Sequence, residues 1–309
     1  MPKYDLAQQL HTSVTNKAFK SLLPRGPVLG SFKVALVATP VKARFEAVAQ
    51  ESFERVVELL AELRFDGVEV SVLEPEELLE AAKVARDRGL EVPAVGTGLN
   101  FLHYGLSLTH PDPGVRGRAL EKLKRLVDAA SRAEAGGVIV GLIRGRGEEA
   151  PSAERARELL LQSLRELCSY ASQAGVRVFL EPLNRYESRL INTVAEGLAV
   201  LDEVGAENLL LLLDTFHMNI EERVIEDSIR QAGGRIGHFH VADSNRLPPG
   251  MGHLDFASIL HALMDTGYRG YVSAEVIVKP DLETAARLTM NTVRVAVAGL
   301  TAYLDREKL

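Results

Sequence analysis

Four apolar runs in the second half of the chain end on residues that can bind a cation or carry a proton. Glu181 closes VRVFLE, Asp214 closes LLLLLD, His240 stands at the end of IGHFH and Glu275 at the end of VSAE. A carboxylate at the edge of a core loses its hydration and is costly unless something pairs with it. Three of them brought together would repel one another and hold their protons, whereas a divalent cation turns the same arrangement into an attraction. Any one of these residues alone reads more simply as a strand-end cap or half of a surface ion pair. Four at successive strand ends point to a metal centre. Three carboxylates and one imidazole make a mostly hard donor set, which suits Mn²⁺, with Mg²⁺ or Co²⁺ as alternatives and Zn²⁺ less natural.

The loops that follow carry more polar side chains. Glu187 lies six residues after Glu181, His217 three after Asp214, and Arg246 six after His240, in a loop with Asp243, Asn245, Pro248, Pro249, Gly250 and Gly252. Arg246 reads equally well as a solvated loop arginine. Arg144 follows the run GVIVGLI. A guanidinium there, facing the same mouth, would pair with a phosphate or carboxylate on a substrate; the plainer reading is an outward arginine paired with Glu148 or Glu149. Glu221 and Glu222 follow Asn219 as the first turn of a helix would, so capping accounts for them. His103 and His110 read as ordinary loop histidines. Phe101, Tyr104, Phe216 and Phe239 are candidates for an apolar wall in a chain without tryptophan.

Residues this far apart in sequence need a frame that gathers strand ends. Eight short runs rich in Val, Ile and Leu supply it: KVALVA from Lys33, GVEVSVL from Gly67, VPAVG from Val92, GVIVGLI from Gly137, VRVFLE from Val176, LLLLLD from Leu209, RIGHFHV from Arg235 and YVSAEV from Tyr271. Between them lie segments with helical periodicity. FERVVELLAELR sets Val56, Leu59, Leu60 and Leu63 on one face, and ALEKLKRLVDAASRAEA repeats the pattern with Leu120, Leu123, Leu126 and Val127. Thr193 with Glu196, and Asn219 with Glu222, have the capping-box spacing. Gly67, Gly89, Gly136, Gly175 and Gly267 fall where helices should close. Near-continuously apolar strands alternating with helices describe a parallel sheet covered on its outer face, and eight such units close a (β/α)8 TIM barrel. An open doubly wound sheet is the alternative, but ATPVKARF after the first run is not a Gly-rich phosphate loop. The reading is a single barrel domain over 32–309, with residues 1–31 as an N-terminal extension that either caps the barrel bottom or contacts a partner.

Gross properties narrow the partners. The 309 residues are 46% hydrophobic and 25% charged with a net charge of −6, which gives no basic footprint for nucleic acid. No apolar run approaches the roughly 18 residues that cross a bilayer, and the first residues lack the layout of a secretory signal, so a cytoplasmic location is expected. The single cysteine, Cys168, forms no internal disulfide and reads as structural. The sequence leaves a homo-oligomer open.

The segments LEPLNRYES, LLDTFHMNIEE, HFHVADSNRLPPGMGH and SAEV resemble the metal-binding segments of the xylose-isomerase-like barrels, and within them the ketose 3-epimerases. The resemblance implies a small-molecule sugar substrate and a metal held by Glu181, Asp214, His240 and Glu275, with Glu181 and Glu275 as the acid/base pair. It places Glu187, His217 and Arg246 at substrate-contacting positions. Epimerising a carbon beside a ketone removes a weakly acidic proton from one face and returns one to the other, so two carboxylates must flank it. The loops GTGLNFLHYGLSLTHPDPGVR and GLIRGRGEEAP depart from the family pattern, which leaves the sugar and any anion on it open, Arg144 being the candidate reader. An aldose–ketose isomerase shares the same chemistry, as does an enzyme acting on a keto-glycoside or an inositol derivative. An abasic-site endonuclease of the same superfamily and a non-catalytic sugar-binding barrel are the competing classes.

Overall fold

The computed structural model describes residues 32–306 of the chain, with side chains to residue 299; the extension expected at 1–31 lies outside the described residues. Eight strands, β1 (Lys33–Ala38), β2 (Gly67–Ser71), β3 (Val95–Gly96), β4 (Gly137–Val140), β5 (Arg177–Leu180), β6 (Leu209–Asp214), β7 (Ile236–Val241) and β8 (Tyr271–Ala274), pair in sequence order, and β8 returns to β1. All the pairings are parallel. The fold is a (β/α)8 TIM barrel, as the alternation of apolar runs and amphipathic segments predicts.

The runs are continuously apolar because both faces of each strand are covered. Along β5, Val178 and Leu180 belong to the large core between sheet and helices, while Phe179 between them belongs to a small inner cluster with Ala94, Ile139 and Leu212. That is the period-two alternation of a strand wrapped into a barrel. The helix Phe53–Glu62 covers the sheet with Phe53, Val56, Val57 and Leu60. Each such fully buried side chain contributes roughly 1.5–3 kcal/mol. Cys168 lies buried in the helix Ala153–Gln173, where burial pushes its thiol up to about 12. Among the described residues, no helix is long and apolar enough to cross a membrane.

Helix starts and stops follow local chemistry, with two departures from expectation. Thr193 Oγ1 accepts from the Glu196 amide and the Glu196 carboxylate accepts from the Thr193 amide, both at 3.2 Å, which opens the helix Val194–Val204 with a capping box. Asn219 instead lies inside the helix Thr215–Glu221, because Asp214 caps it first by accepting from the Phe216 amide at 2.8 Å. Glu222 turns to the Val194 amide and Glu221 to Arg185. Gly89, Gly175 and Gly267 take the left-handed conformation expected of helix stops, with φ of 75°, 70° and 80°. Gly67 and Gly136 do not; a Cβ on them would meet the carbonyl oxygens of Glu91 at 2.8 Å and Pro93 at 2.3 Å. The left-handed turns before them fall to Arg64 and Glu134, with φ of 62° and 57°.

Register delivers the site. Asp214 stands opposite His240 across β6 and β7, and His240 opposite Ser273 across β7 and β8. The residues that end β5 to β8 therefore meet at one rim.

Candidate active site

Glu181, Asp214, His240 and Glu275 each point one ligand atom into a common space, and these atoms lie within 4.8 Å of one another. His240 Nδ1 is 3.9 Å from both Glu181 Oε1 and Glu275 Oε2. Local bonds aim the groups. The Phe216 amide holds one Asp214 oxygen and leaves Oδ2 facing inward. Glu181 packs over Gly141, where a Cβ would stand 2.4 Å from its Oε2, so the glycine after β4 makes room for the carboxylate.

The electrostatics test whether a cation fits. Burial, together with the neighbouring Glu275, raises the Glu181 carboxyl well above its ordinary range. Burial likewise pushes Glu275 up to about 7 against the opposing pull of Arg246 and His240. For His240 burial works against charge, yet the Glu69 carboxylate overcomes it and lifts the ring to about 10. Glu181, Glu275 and His240 are thus all biased toward holding protons where a cation would sit, and ligand binding of a metal releases such protons. Asp214 Oδ2 and His240 Nδ1 are buried without a hydrogen-bond partner. Orphaned buried atoms of this kind are rare and call for a missing partner. The donor set fits a divalent cation.

Around this centre the predicted contact residues converge. Arg246 ion-pairs with Glu275, lies 3.7 Å from Glu187 and 3.8 Å from Asp214, and is sandwiched between Phe216 and Phe45, with 4.5 and 5.3 Å to the ring centroids. The loop that carries it is knit by Asp243, whose carboxylate accepts from the amides of Ser244, Gly250 and Leu254. Arg246 itself adopts φ of 61°. His217 is neutral, its pKa driven well down by burial and by Arg246. Asn184 Nδ2 donates to His217 Nδ1 at 2.8 Å and to Glu187 at 3.0 Å, while its Oδ1 accepts from the Tyr186 amide. The His217 proton therefore sits on Nε2, 3.7 Å from both Glu181 and Asp214.

Arg144 is a correction. It is fully buried, and its guanidinium donates to the carbonyls of Gly141, Glu181, Leu190 and Ile191. Burial lowers its pKa to about 10. All its donor directions are spent clamping the backbone that carries Glu181, so it neither faces the cleft nor reads an anion. Nor does it pair with Glu148, which binds Arg189.

The cleft encloses about 510 Å³, its open mouth included. Its lining combines polar groups, Glu69, Ser71, Thr97, Glu181, Glu187, His217, His240, Arg246 and Glu275, with aliphatic ones, Leu99, Leu102, Ile139, Leu142 and Leu183. Of the four aromatic candidates, Phe216 braces Arg246, Phe101 lies against Arg146, Phe239 is in the outer core and Tyr104 is exposed. His103 Nε2 accepts from the Arg44 amide and His110 Nδ1 from the Asp112 amide, which are loop roles.

Three residues that shape the site escaped the sequence reading: Asn184, Glu69 and His238. Glu69 is 1% exposed and accepts from His238 and His240. Burial alone would raise its pKa, but the two imidazoles hold it far below the usual carboxylate range. His238 is kept neutral, burial outweighing the pull of Glu69. The signal was present: a carboxylate in the middle of GVEVSVL, and a histidine two residues before His240 on the same strand face.

Residues 57–294 match the model of the xylose isomerase-like TIM barrels. The chain is 37% identical to L-ribulose 3-epimerase of Mesorhizobium japonicum over 232 residues, 74% of this chain and 76% of that protein. It is 33% identical to D-psicose 3-epimerase of Enterocloster bolteae over 238 residues, 73% and 77% of the two lengths. A solved structure of L-ribulose 3-epimerase matches with a TM-score of 0.76 and 29% identity, covering 88% of this chain and 97% of that one. With the barrel, the site at the ends of its strands and these relatives in agreement, the chain belongs to the xylose isomerase-like TIM-barrel family.

Proposed function

We propose that this protein is a metal-dependent sugar epimerase that inverts C3 of a ketose, with Glu181 and Glu275 as the two proton-transfer groups. The observation that carries this is the pair of carboxylates, Glu181 buried and Glu275 partly so, both with raised pKa and facing one space that a sugar can enter. A carboxylate whose pKa lies near neutrality both accepts and returns a proton at working pH. The relatives named as ketose 3-epimerases support the same chemistry.

Glu181, Asp214, His240 and Glu275 would hold the cation, Mn²⁺ on the hardness of the donor set with Mg²⁺ or Co²⁺ as alternatives. When bound, it supplies Lewis-acid stabilisation of the negative charge that develops on the substrate oxygens. One carboxylate, ionised, takes the proton from C3 and the other, protonated, delivers its own to the opposite face; exchange with solvent then restores the starting protonation of the pair, and the back reaction uses the two in exchanged roles. His217 Nε2–H and the Arg246 guanidinium donate to the substrate oxygens beside the reacting carbon. Glu187, held by Asn184, accepts a hydrogen bond from a substrate hydroxyl. Arg246 is the one arginine or lysine among the described residues lining the cleft, and it is engaged by Glu275. Much of the remaining lining is aliphatic. Both facts favour an uncharged sugar over a phosphorylated one.

The test is hydrogen exchange at carbon. The Mn²⁺-loaded protein is incubated in D₂O with D-psicose, D-fructose, D-tagatose or L-ribulose and followed by NMR. Deuterium at C3 with appearance of the C3 epimer is the expected result. Deuterium at C1 with aldose formation would make it an isomerase, and no exchange with any ketose would sink the proposal.

A further inference from the structure

Glu69 is a charged side chain in the middle of the barrel, on a strand whose residues are all buried. A carboxylate there, 1% exposed at the bordering cleft, has almost no water and must be held by donors. His238 Nε2 lies 2.8 Å from it, and His240 Nε2 lies 3.1 and 3.0 Å from its two oxygens. Both rings meet it through Nε2, so both carry a proton there. For His240 the other nitrogen, Nδ1, is the buried atom without a hydrogen-bond partner, and it faces Glu181 and Glu275.

We infer that Glu69 is a positioning residue of the metal centre: anchored by His238, it pins His240 Nε2–H and so presents Nδ1 to the cation space shared with Glu181, Asp214 and Glu275. This rests on the four-ligand reading given above. A flip of the His240 ring would turn Cε1–H toward Glu69 and Cδ2–H toward Glu181 and Glu275, losing a donor on one side and the ligand atom on the other, so the ring has one orientation. His238 is itself immobilised, stacked on Phe179 at 5.6 Å and 17° and edge-on to His240 at 5.2 Å and 80°. Packing thus holds His238, His238 holds Glu69, and Glu69 holds the ligand. Orienting carboxylates of this kind raise ligand basicity and fix the tautomer.

Glu69, His238 and His240 also lie close enough to be considered a cation site in their own right. Their separations are those of N–H to oxygen hydrogen bonds. His240 cannot give Nε2 to one cation and Nδ1 to another while keeping its proton, so one cation per chain is expected.

Calorimetric titration of the metal-free protein with Mn²⁺ tests this without recourse to activity. Glu69→Gln keeps the shape but turns an amide N–H₂ toward one imidazole N–H; its Kd for Mn²⁺ should rise roughly 10–100-fold, with stoichiometry unchanged and the visible spectrum of the Co²⁺ form altered. Glu69→Asp, a carboxylate too short to span both rings, should fall between, and it serves if the Gln variant does not fold. Folded variants that bind Mn²⁺ as tightly as the unaltered protein overturn the role of Glu69 alone. So does a second Mn²⁺ per chain that disappears in either variant, since Glu69 would then be a ligand. Failure of the unaltered protein to bind Mn²⁺ overturns the four-ligand reading, and this inference with it.

Discussion

The inside of the barrel has two unlike halves. On β4, β5 and β6, with Ala94 just before β3, the inward residues are Ala94, Ile139, Phe179 and Leu212, a small apolar cluster. On β2, β7 and β8 the corresponding residues are Glu69, His238, His240 and Ser273, all buried, with His238 level with Leu212 and His240 level with Asp214. The apolar half is held by packing, which is non-directional and tolerates exchange of one shape for a similar one. The polar half is held by a few directional bonds in a dry setting, where removing one partner strands the other. The candidate site lies across the rim of both, with Glu181 and Asp214 at the ends of β5 and β6 and His240 and Glu275 at the ends of β7 and β8, and it is the polar half beneath it that supplies the fixed donors and acceptors able to aim a ligand atom.

Four substitutions break or sharpen this contrast. The largest effect is expected for Glu275→Gln, which keeps volume but removes a proton carrier and the partner of Arg246; the epimerisation rate should fall by about 10²–10⁴-fold, read as kcat at saturating Mn²⁺. Next is Arg144→Ala, which abandons four buried carbonyls. At roughly 1–3 kcal/mol for each carbonyl left unpaired, summed less than additively, urea unfolding should show a loss of several kcal/mol, and the ratio of activities on neutral and phosphorylated ketoses should not move. Gly141→Ala inserts a methyl against Glu181. Displacing the carboxylate by about an ångström should lower kcat/KM by around 10²-fold while the melting temperature moves little. The smallest is Leu212→Met in the apolar half, under about 1.5 kcal/mol in stability; a marked loss of Mn²⁺ affinity in this variant would mean that the two halves are not independent.

Legibility in the sequence tracked the same division between local and long-range forces. The strands and helices were readable because burial on two faces demands unbroken apolar runs and burial on one demands a 3.6-residue period. Thr193 and Glu196 were readable because a capping box closes within four residues, whereas Asn219 and Glu222 have the same spacing and form none, since Asp214 reaches the amide of Phe216 first. The four residues that meet at the rim were readable because polar residues at the ends of apolar runs stand out. Glu69 had an equal claim, but lying inside a run it could be placed only once β2 was known to face β7 across the barrel.

Composition and periodicity by themselves determined the number of strands, their burial and the residues at their ends, since these follow from how water treats each side chain along a chain of known step. Tertiary structure alone decided which polar groups face which. It turned Arg144 inward to backbone carbonyls, set Asn184 beneath His217, and joined Glu69 to residues 169 and 171 positions away. Hydrogen bonds and ion pairs act over about 3–4 Å, and separations that short between distant residues exist only after the barrel has closed.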